Sequence, residues 1–83
     1  MAKRRYSRSA EASRYRKLYH TKRWKALRHW QLQDEPTCRW CGQQGRVTAA
    51  DTVDHIKPHR GDVALFHDPD NLQSLCASCH SRH

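Results

Sequence analysis

Long apolar runs are missing from this chain of 83 residues. No segment approaches the roughly 20 consecutive apolar residues that cross a bilayer. The basic opening stretch MAKRRYSRSAEASRYRK has no apolar run behind it, so neither a membrane span nor a secretory signal is expected. Repeats and low-complexity segments are also absent, and methionine occurs only as Met1. Apolar residues make up just 36% of the chain. One small domain of this kind buries too little apolar surface to offset its conformational entropy, so a further staple is expected. Acidic residues are nearly missing from the first part: residues 1–33 carry eleven of the sixteen Lys/Arg against one acid, Glu11, a balance of +10. Residues 34–83 carry the other five bases and seven acids, a balance of −2.

That asymmetry predicts a polyanion-binding first half and a second half whose chemistry uses carboxylates. Tyrosines and tryptophans interleave with the bases, which favours nucleic acid over a membrane surface or a merely solvated basic face. Residues 1–10 are expected to be a disordered basic tail and 11–33 a basic helical segment. Tyr15, Leu18 and Tyr19 share one helical face, and Trp24, Leu27 and Trp30 suggest a second helix ending before Pro36. A boundary at Asp34-Glu35-Pro36 then opens a domain over 34–83. Within it, 46–49 and 52–56 are predicted as short extended stretches after a turn at Gln43-Gln44-Gly45. A helical turn is predicted at 63–66 inside a mostly irregular 60–70, residues 71–75 are a lead-in to the last cysteines, and 77–83 form a short terminal helix.

The staple is suggested by four cysteines in two pairs, Cys38/Cys41 and Cys76/Cys79, spaced C-x2-C-x34-C-x2-C. In a reducing cytosol, where this chain is expected, such pairs are metal ligands rather than disulfides. Four thiolates complete a tetrahedral structural zinc site. Thr37-Cys38-Arg39-Trp40-Cys41-Gly42 has the look of a zinc knuckle, with Trp40 a packing lid and Gly42 a turn residue. Three other chemistries fit less well. Covalent haem on Cys76-Ala-Ser-Cys79-His80 would leave Cys38 and Cys41 unexplained, and the only methionine that could serve as an axial ligand is Met1. A site of two cysteines and two histidines using His80 and His83 has poor spacing and wastes two thiols. A zinc deaminase needs an upstream H-x-E, which is absent.

Between the cysteine pairs lie Asp54-His55-Ile56-Lys57-Pro58-His59 and Asp68-Pro69-Asp70-Asn71-Leu72, followed by Leu75-Cys76-Ala77-Ser78-Cys79-His80. In this order the strings resemble the HNH endonucleases, in the subgroup whose ββα-metal finger is pinned by four cysteines. The likeness covers about residues 20–83, including Thr21-Lys22-Arg23-Trp24-Lys25-Ala26-Leu27-Arg28, similar to the lead-in helix of small phage members. It implies a small α+β fold: a ββα-metal (HNH) finger stapled by a four-cysteine zinc site, with a basic helical N-terminal segment.

From residue type, His55 is the neighbour suited to accept a proton near neutrality, as hydrolysis of a phosphodiester requires. The resemblance implies that Asp54 and His80 hold a catalytic cation such as Mg²⁺ or Mn²⁺. It implies that Asn71 fixes the loop carrying the base or itself joins the metal site, making His55, Asn71 and His80 the catalytic set. His59 and Arg60 are candidates for substrate contact or support, and His83, one turn beyond His80, for a further metal ligand. His20, His29 and His67 are taken as ordinary surface residues. The implied function is metal-dependent cleavage of DNA, as nicks or double-strand breaks, by a monomer or weak dimer. Small phage members of this kind act beside the terminase and genome-packaging proteins in the host cytoplasm. The alternative is a zinc-stabilised DNA-binding module without catalysis, which would be expected to have lost at least one of Asp54, His55, Asn71 and His80.

Overall fold

The computed structural model describes residues 15–82. The predicted tail 1–10, residues 11–14 of the basic segment and His83 lie outside the described residues. From Tyr15 the chain is helical, tightening into a 3-10 turn over Lys17–His20. Thr21 then resets the backbone to an extended conformation and caps helix α1 (Lys22–Asp34). Its hydroxyl accepts the Trp24 N–H and donates to the Leu18 carbonyl, each at 3.1 Å. A cap of this kind contributes about 1 kcal/mol. At the other end the Glu35 N–H closes on the Gln31 carbonyl at 2.9 Å, and Pro36 has no N–H with which to continue.

Helix α1 buries Trp24 and packs Leu27 and Leu32 beside it. Trp30, expected on the same face, is 63% exposed. At about 100° per residue it lies roughly 120° around the helix from Trp24, so Leu32 rather than Trp30 completes the inward stripe.

Helix α2 (Arg39–Gln43) is the knuckle: the Cys38 thiol at its N-cap accepts the Cys41 N–H at 3.5 Å. Gly42 does not play its expected part. It sits inside α2, its N–H is taken by the Cys38 carbonyl, and a Cβ there would meet nothing within 4 Å. The left-handed turn falls instead on Gly45, at φ 80°. The extended stretch expected over 46–49 is reduced to one bridge, Thr37 to Ala49, closed by Cys38 N–H to Thr48 O at 2.7 Å and Ala50 N–H to Pro36 O at 2.9 Å. With Val47 left 91% exposed, this stretch has no buried face to make it a strand of the sheet.

The sheet has two antiparallel strands, β1 (Thr52–His55) and β2 (Leu72–Leu75), paired Thr52 to Leu75, Val53 to Ser74, Asp54 to Gln73 and His55 to Leu72. Strand β1 ends one residue earlier than the predicted 52–56. Strand β2 replaces what the sequence shows only as a lead-in. Leu-Gln-Ser-Leu has neither β-branched residues nor alternation, because all four positions are buried and burial on both faces erases the period-two signal.

Between the strands, α3 (Val63–Phe66) is capped by the Asp62 carboxylate on the Leu65 N–H at 3.1 Å. A 3-10 turn over Pro69–Asn71 is capped by Asp68 on the Asp70 N–H at 2.9 Å. Helix α4 (Ala77–Arg82) follows β2, where a terminal helix is expected. Together β1, β2 and α4 form the ββα unit.

Two small cores hold these pieces together. One gathers Trp24, Val53, Phe66 and Leu72, with Leu18, Leu27 and Leu32 against it. The other gathers the four cysteines and Leu75, with Trp40 as the expected lid. Strand β2 joins them, since Leu72 enters the first and Leu75 the second. Phe66 and Leu75 are completely buried, each contributing about 1.5–3 kcal/mol. Among the described residues no helix is long and apolar enough to cross a membrane.

Candidate active site

The sheet register puts the site's first two side chains in place. Asp54 and His55 are consecutive on β1, so their side chains leave opposite faces of the strand. Asp54 turns toward α4, where its Oδ1 lies 3.7 Å from His80 Nε2. Its other oxygen, Oδ2, accepts a hydrogen bond at 3.0 Å from the amide of Gln73, its cross-strand partner. Gln73 is buried, so this bond holds the carboxylate in one orientation. His80 sits on the exposed side of α4, one residue after buried Cys79.

His55 turns the other way. Its ring stacks on Trp24 at 5.3 Å and 21° and also lies against Phe66. Nε2 is 3.0 Å from the Phe66 carbonyl oxygen. A carbonyl only accepts, so the proton resides on Nε2 and the Nδ1 lone pair is left open. Burial pushes the imidazole below its ordinary value, against the upward pull of the Phe66 carbonyl and Asp54. It is therefore neutral near pH 7, the state a proton acceptor needs.

Asn71 is buried beneath this arrangement. Its Oδ1 accepts the Lys57 N–H at 2.8 Å, and its Nδ2 donates to the Lys57 carbonyl at 3.1 Å and the Leu65 carbonyl at 3.3 Å. Its own carbonyl accepts the Ile56 N–H at 2.8 Å. Asn71 thus ties the chain leaving β1 to the end of α3, whose Phe66 carbonyl orients His55.

Beyond β1 the chain turns back at His59, where the Asp62 N–H donates to the His59 carbonyl at 2.8 Å. The two central residues, Arg60 at φ 48° and Gly61 at φ 87°, are both in the left-handed region, as in a type I′ turn. Gly61 is required twice over, since a Cβ would also lie 2.8 Å from the Tyr15 ring. Arg60 is exposed at this turn. His59 is buried; Nδ1 accepts the Gly61 N–H at 3.1 Å and Nε2 lies 3.0 Å from the Tyr19 hydroxyl. Burial, and then the nearby His55, lower its pKa.

Among the described residues two clefts open on this surface. The larger, about 650 Å³, is lined by Tyr15, Tyr19, Asp54, His55, Pro58, His59 and Arg60. The smaller, about 380 Å³, runs past Arg28, Trp24 and His80. Tyr19, Asp54 and His55 line both.

The four cysteines form a separate, buried cluster whose ligand atoms all lie within 4.8 Å of one another. The Cys41–Cys76 and Cys41–Cys79 sulfur separations are 3.9 and 3.7 Å. Four sulfurs placed tetrahedrally about one ion at ~2.3 Å would be about 3.8 Å apart, so the donor set fits a thiolate-bound metal. The electrostatics agree. Despite burial, backbone N–H groups of Cys41 and Cys76 bring Cys38 down to about 6, while burial and then the neighbouring thiols push Cys79 up to about 12. One thiolate is easily formed and four together need a cation.

The sequence-predicted residues thus fall into two groups. Cys38, Cys41, Cys76 and Cys79 converge on one point. Asp54, His55 and His80 converge on the clefts, with Asn71 behind them and His59 and Arg60 at the rim of the larger one. His83 lies outside the described residues. His20 and His29 are exposed as expected, but His67 is not an ordinary surface residue: its Nδ1 is 2.9 Å from the Val63 carbonyl and its Nε2 is buried. Residue patterns missed Gln73, Tyr15, Arg28 and Tyr19. Only the β1–β2 register pairs Gln73 with Asp54, and Tyr19 reaches His59 across 40 positions of sequence.

Comparison with known proteins agrees with this geometry. Residues 38–83 match the sequence model of the HNH endonucleases. A probable HNH endonuclease of Lactococcus phage SK1 is 39% identical over 69 residues, spanning 77% of this chain and 71% of that protein. The crystal structure of the HNH endonuclease of the deep-sea thermophilic bacteriophage GVE2, with manganese ion, superposes with a TM-score of 0.77 at 37% identity. That match covers 94% of this chain and 86% of the other.

Proposed function

Because this chain belongs to the HNH endonuclease family, we propose that it hydrolyses DNA phosphodiesters with His55 as general base beside a divalent cation held by Asp54 and His80. The observation that carries this reading is the His55 Nε2 bond to the Phe66 carbonyl, which leaves Nδ1 as the proton acceptor of a ring that lines both clefts with Asp54. His55 takes the proton of the attacking water at Nδ1 while Nε2–H stays on the carbonyl. Asn71 keeps that carbonyl in position through the backbone at Lys57 and Leu65. Gln73 fixes Asp54, leaving Oδ1 toward His80. A carboxylate oxygen and an imidazole nitrogen suit Mn²⁺ or Mg²⁺, and the manganese in the GVE2 relative supports the former. A cation held there would neutralise charge on the phosphate and on the departing 3′ oxygen.

The four cysteines hold zinc in a closed, purely structural site, since all four positions are thiolates and none is left open. One such active site handles one strand, so a monomer nicks and paired nicks give breaks. The phage origin of both relatives supports a phage setting. Incubating the purified chain with supercoiled plasmid, with and without Mn²⁺ or Mg²⁺, tests the reading. Divalent-dependent conversion to nicked plasmid is expected, and intact plasmid under all conditions would refute it.

A further inference from the structure

Three side chains line both clefts, and the reading above gives roles to only two, Asp54 and His55. The third is Tyr19. Its ring is wedged edge-on against Phe66 at 4.8 Å and Trp24 at 5.6 Å, and lies 6.2 Å from the His55 ring, while the residue as a whole stays 40% exposed. The ring is therefore fixed by packing next to the base, with part of the residue open to solvent.

The hydrogen bonds around the hydroxyl have a determined direction. The Gly61 N–H can only donate, so His59 Nδ1, 3.1 Å away, must be the acceptor. A neutral His59 then carries its proton on Nε2 and donates to the Tyr19 oxygen at 3.0 Å. A phenol that already accepts one hydrogen bond still has its own O–H to give, and burial, followed by the nearby Asp54 carboxylate, holds its pKa above the ordinary tyrosine value, so that proton is present at neutral pH. Accepting from His59 also polarises the O–H and makes it a better donor. The turn at Arg60-Gly61, with both residues in the left-handed region, and the Tyr15 ring packed edge-on against His59 at 5.2 Å, hold His59 in this role.

We infer that Tyr19 is a further catalytic residue of this nuclease, its hydroxyl donating to a non-bridging oxygen of the phosphate that is cut, with His59 as the positioning residue that aims it. The inference rests on the reading of Asp54, His55 and His80 as the cleavage site. A donor fixed in advance beside the water-activating base stabilises charge that grows on the phosphate in the transition state, so its effect belongs to the rate at saturation.

Tyr19→Phe keeps the ring and removes only the donor. Its single-turnover nicking of plasmid at saturating protein is expected to fall about 10- to 100-fold, with DNA affinity in the absence of divalent ions and Mn²⁺ affinity each within about twofold of the parent. The His59→Leu change is expected to slow the parent by a comparable factor and Tyr19→Phe hardly further, because His59 acts through the hydroxyl. Nicking by Tyr19→Phe at the parent rate would overturn the inference, as would weaker DNA binding at an unchanged saturated rate, and additive losses in the double variant would remove His59 from the role. His55→Ala, run alongside, separates the two levels. If the parent nicks and His55→Ala does not, the cleavage site stands whatever Tyr19→Phe does. If both nick equally, the cleavage-site reading itself has failed.

Discussion

On the proposed reading, each residue that acts in the clefts is held by a second residue. His55 is oriented by a carbonyl, and that carbonyl by Asn71; Asp54 is oriented by Gln73. His55→Ala should therefore leave fold, zinc content and DNA binding nearly intact and reduce nicking by about 10²–10⁴-fold, the usual cost of losing a general base. Plasmid assays beside calorimetric DNA binding would check both halves of that expectation. Gln73→Leu should act on the cation rather than the base. With the amide gone, Oδ2 loses its 3.0 Å partner and the carboxylate is held less firmly. Mn²⁺ affinity should then drop about 10-fold or more, read as a shift in the Mn²⁺ concentration needed for half-maximal nicking, with zinc content unchanged. Asp54, His55, Asn71 and His80 are singled out by the order of their motifs and the resemblance it carries, and the fold brings Asp54, His55 and His80 to the clefts with Asn71 behind them. Gln73 and Tyr19 are not, because glutamine and tyrosine are common surface and core residues whose roles appear only once strand register and a contact spanning 40 positions exist.

At the scale of elements, Glu35 joins three of them just past α1. Its Oε1 accepts from the Gln31 side chain at 3.0 Å, the Ser74 N–H on β2 at 2.9 Å and Arg39 on α2 at 3.2 Å, and its Oε2 accepts from Arg39 Nε at 2.9 Å. The Ser74 bond also occupies an N–H of the two-stranded sheet that would otherwise be unpaired in a buried place. Burial works against the charge, but Arg39 and the Ser74 N–H outweigh it and hold the Glu35 carboxyl below its ordinary value. A carboxylate depressed on folding adds stability above the pKa of the unfolded chain, and that stability is lost as pH falls through the folded value. Glu35→Gln should thus melt at lower temperature than the parent at pH 7, by the equivalent of about 1–3 kcal/mol. The gap should narrow as pH drops below the ordinary carboxylate range, and thermal melts of both proteins from neutral pH down through that range would check it. The elements most legible in advance were those with local punctuation: α1 stopped by Pro36, the knuckle set by Cys38 and Cys41, the turn at 63–66 and the helix after Cys76. Strand β2 had no such mark, and Arg46 to Ala49 showed extended residues that find no sheet to join.

Over the whole molecule, one cluster of thiols and one small apolar core share the work of folding. Cys38→Ser and Cys76→Ser should each release the proposed zinc and unfold the domain, because in so small a chain the free energy of metal binding is largely the free energy of folding. Circular dichroism with metal analysis would detect both losses together. Charge is the other global property, and it tests the first half of the chain. Deleting residues 1–17 would remove seven Lys/Arg, but it would also take Tyr15 away from His59 and Gly61 and so mix binding with the shape of the cleft. Deleting residues 1–14 is cleaner. It removes Lys3, Arg4, Arg5, Arg8 and Arg14 and spares every described contact. Each phosphate neutralised releases counterions and steepens the fall of log affinity with log salt by about 0.9. If these five side chains all grip duplex DNA, the truncated protein should lose up to about 4.5 from the magnitude of that slope, while its melting temperature and zinc content stay put. Fluorescence anisotropy on one duplex across a salt series measures it, and an unchanged slope would show that the N-terminal bases are solvated and that the grip lies on α1 and the cleft.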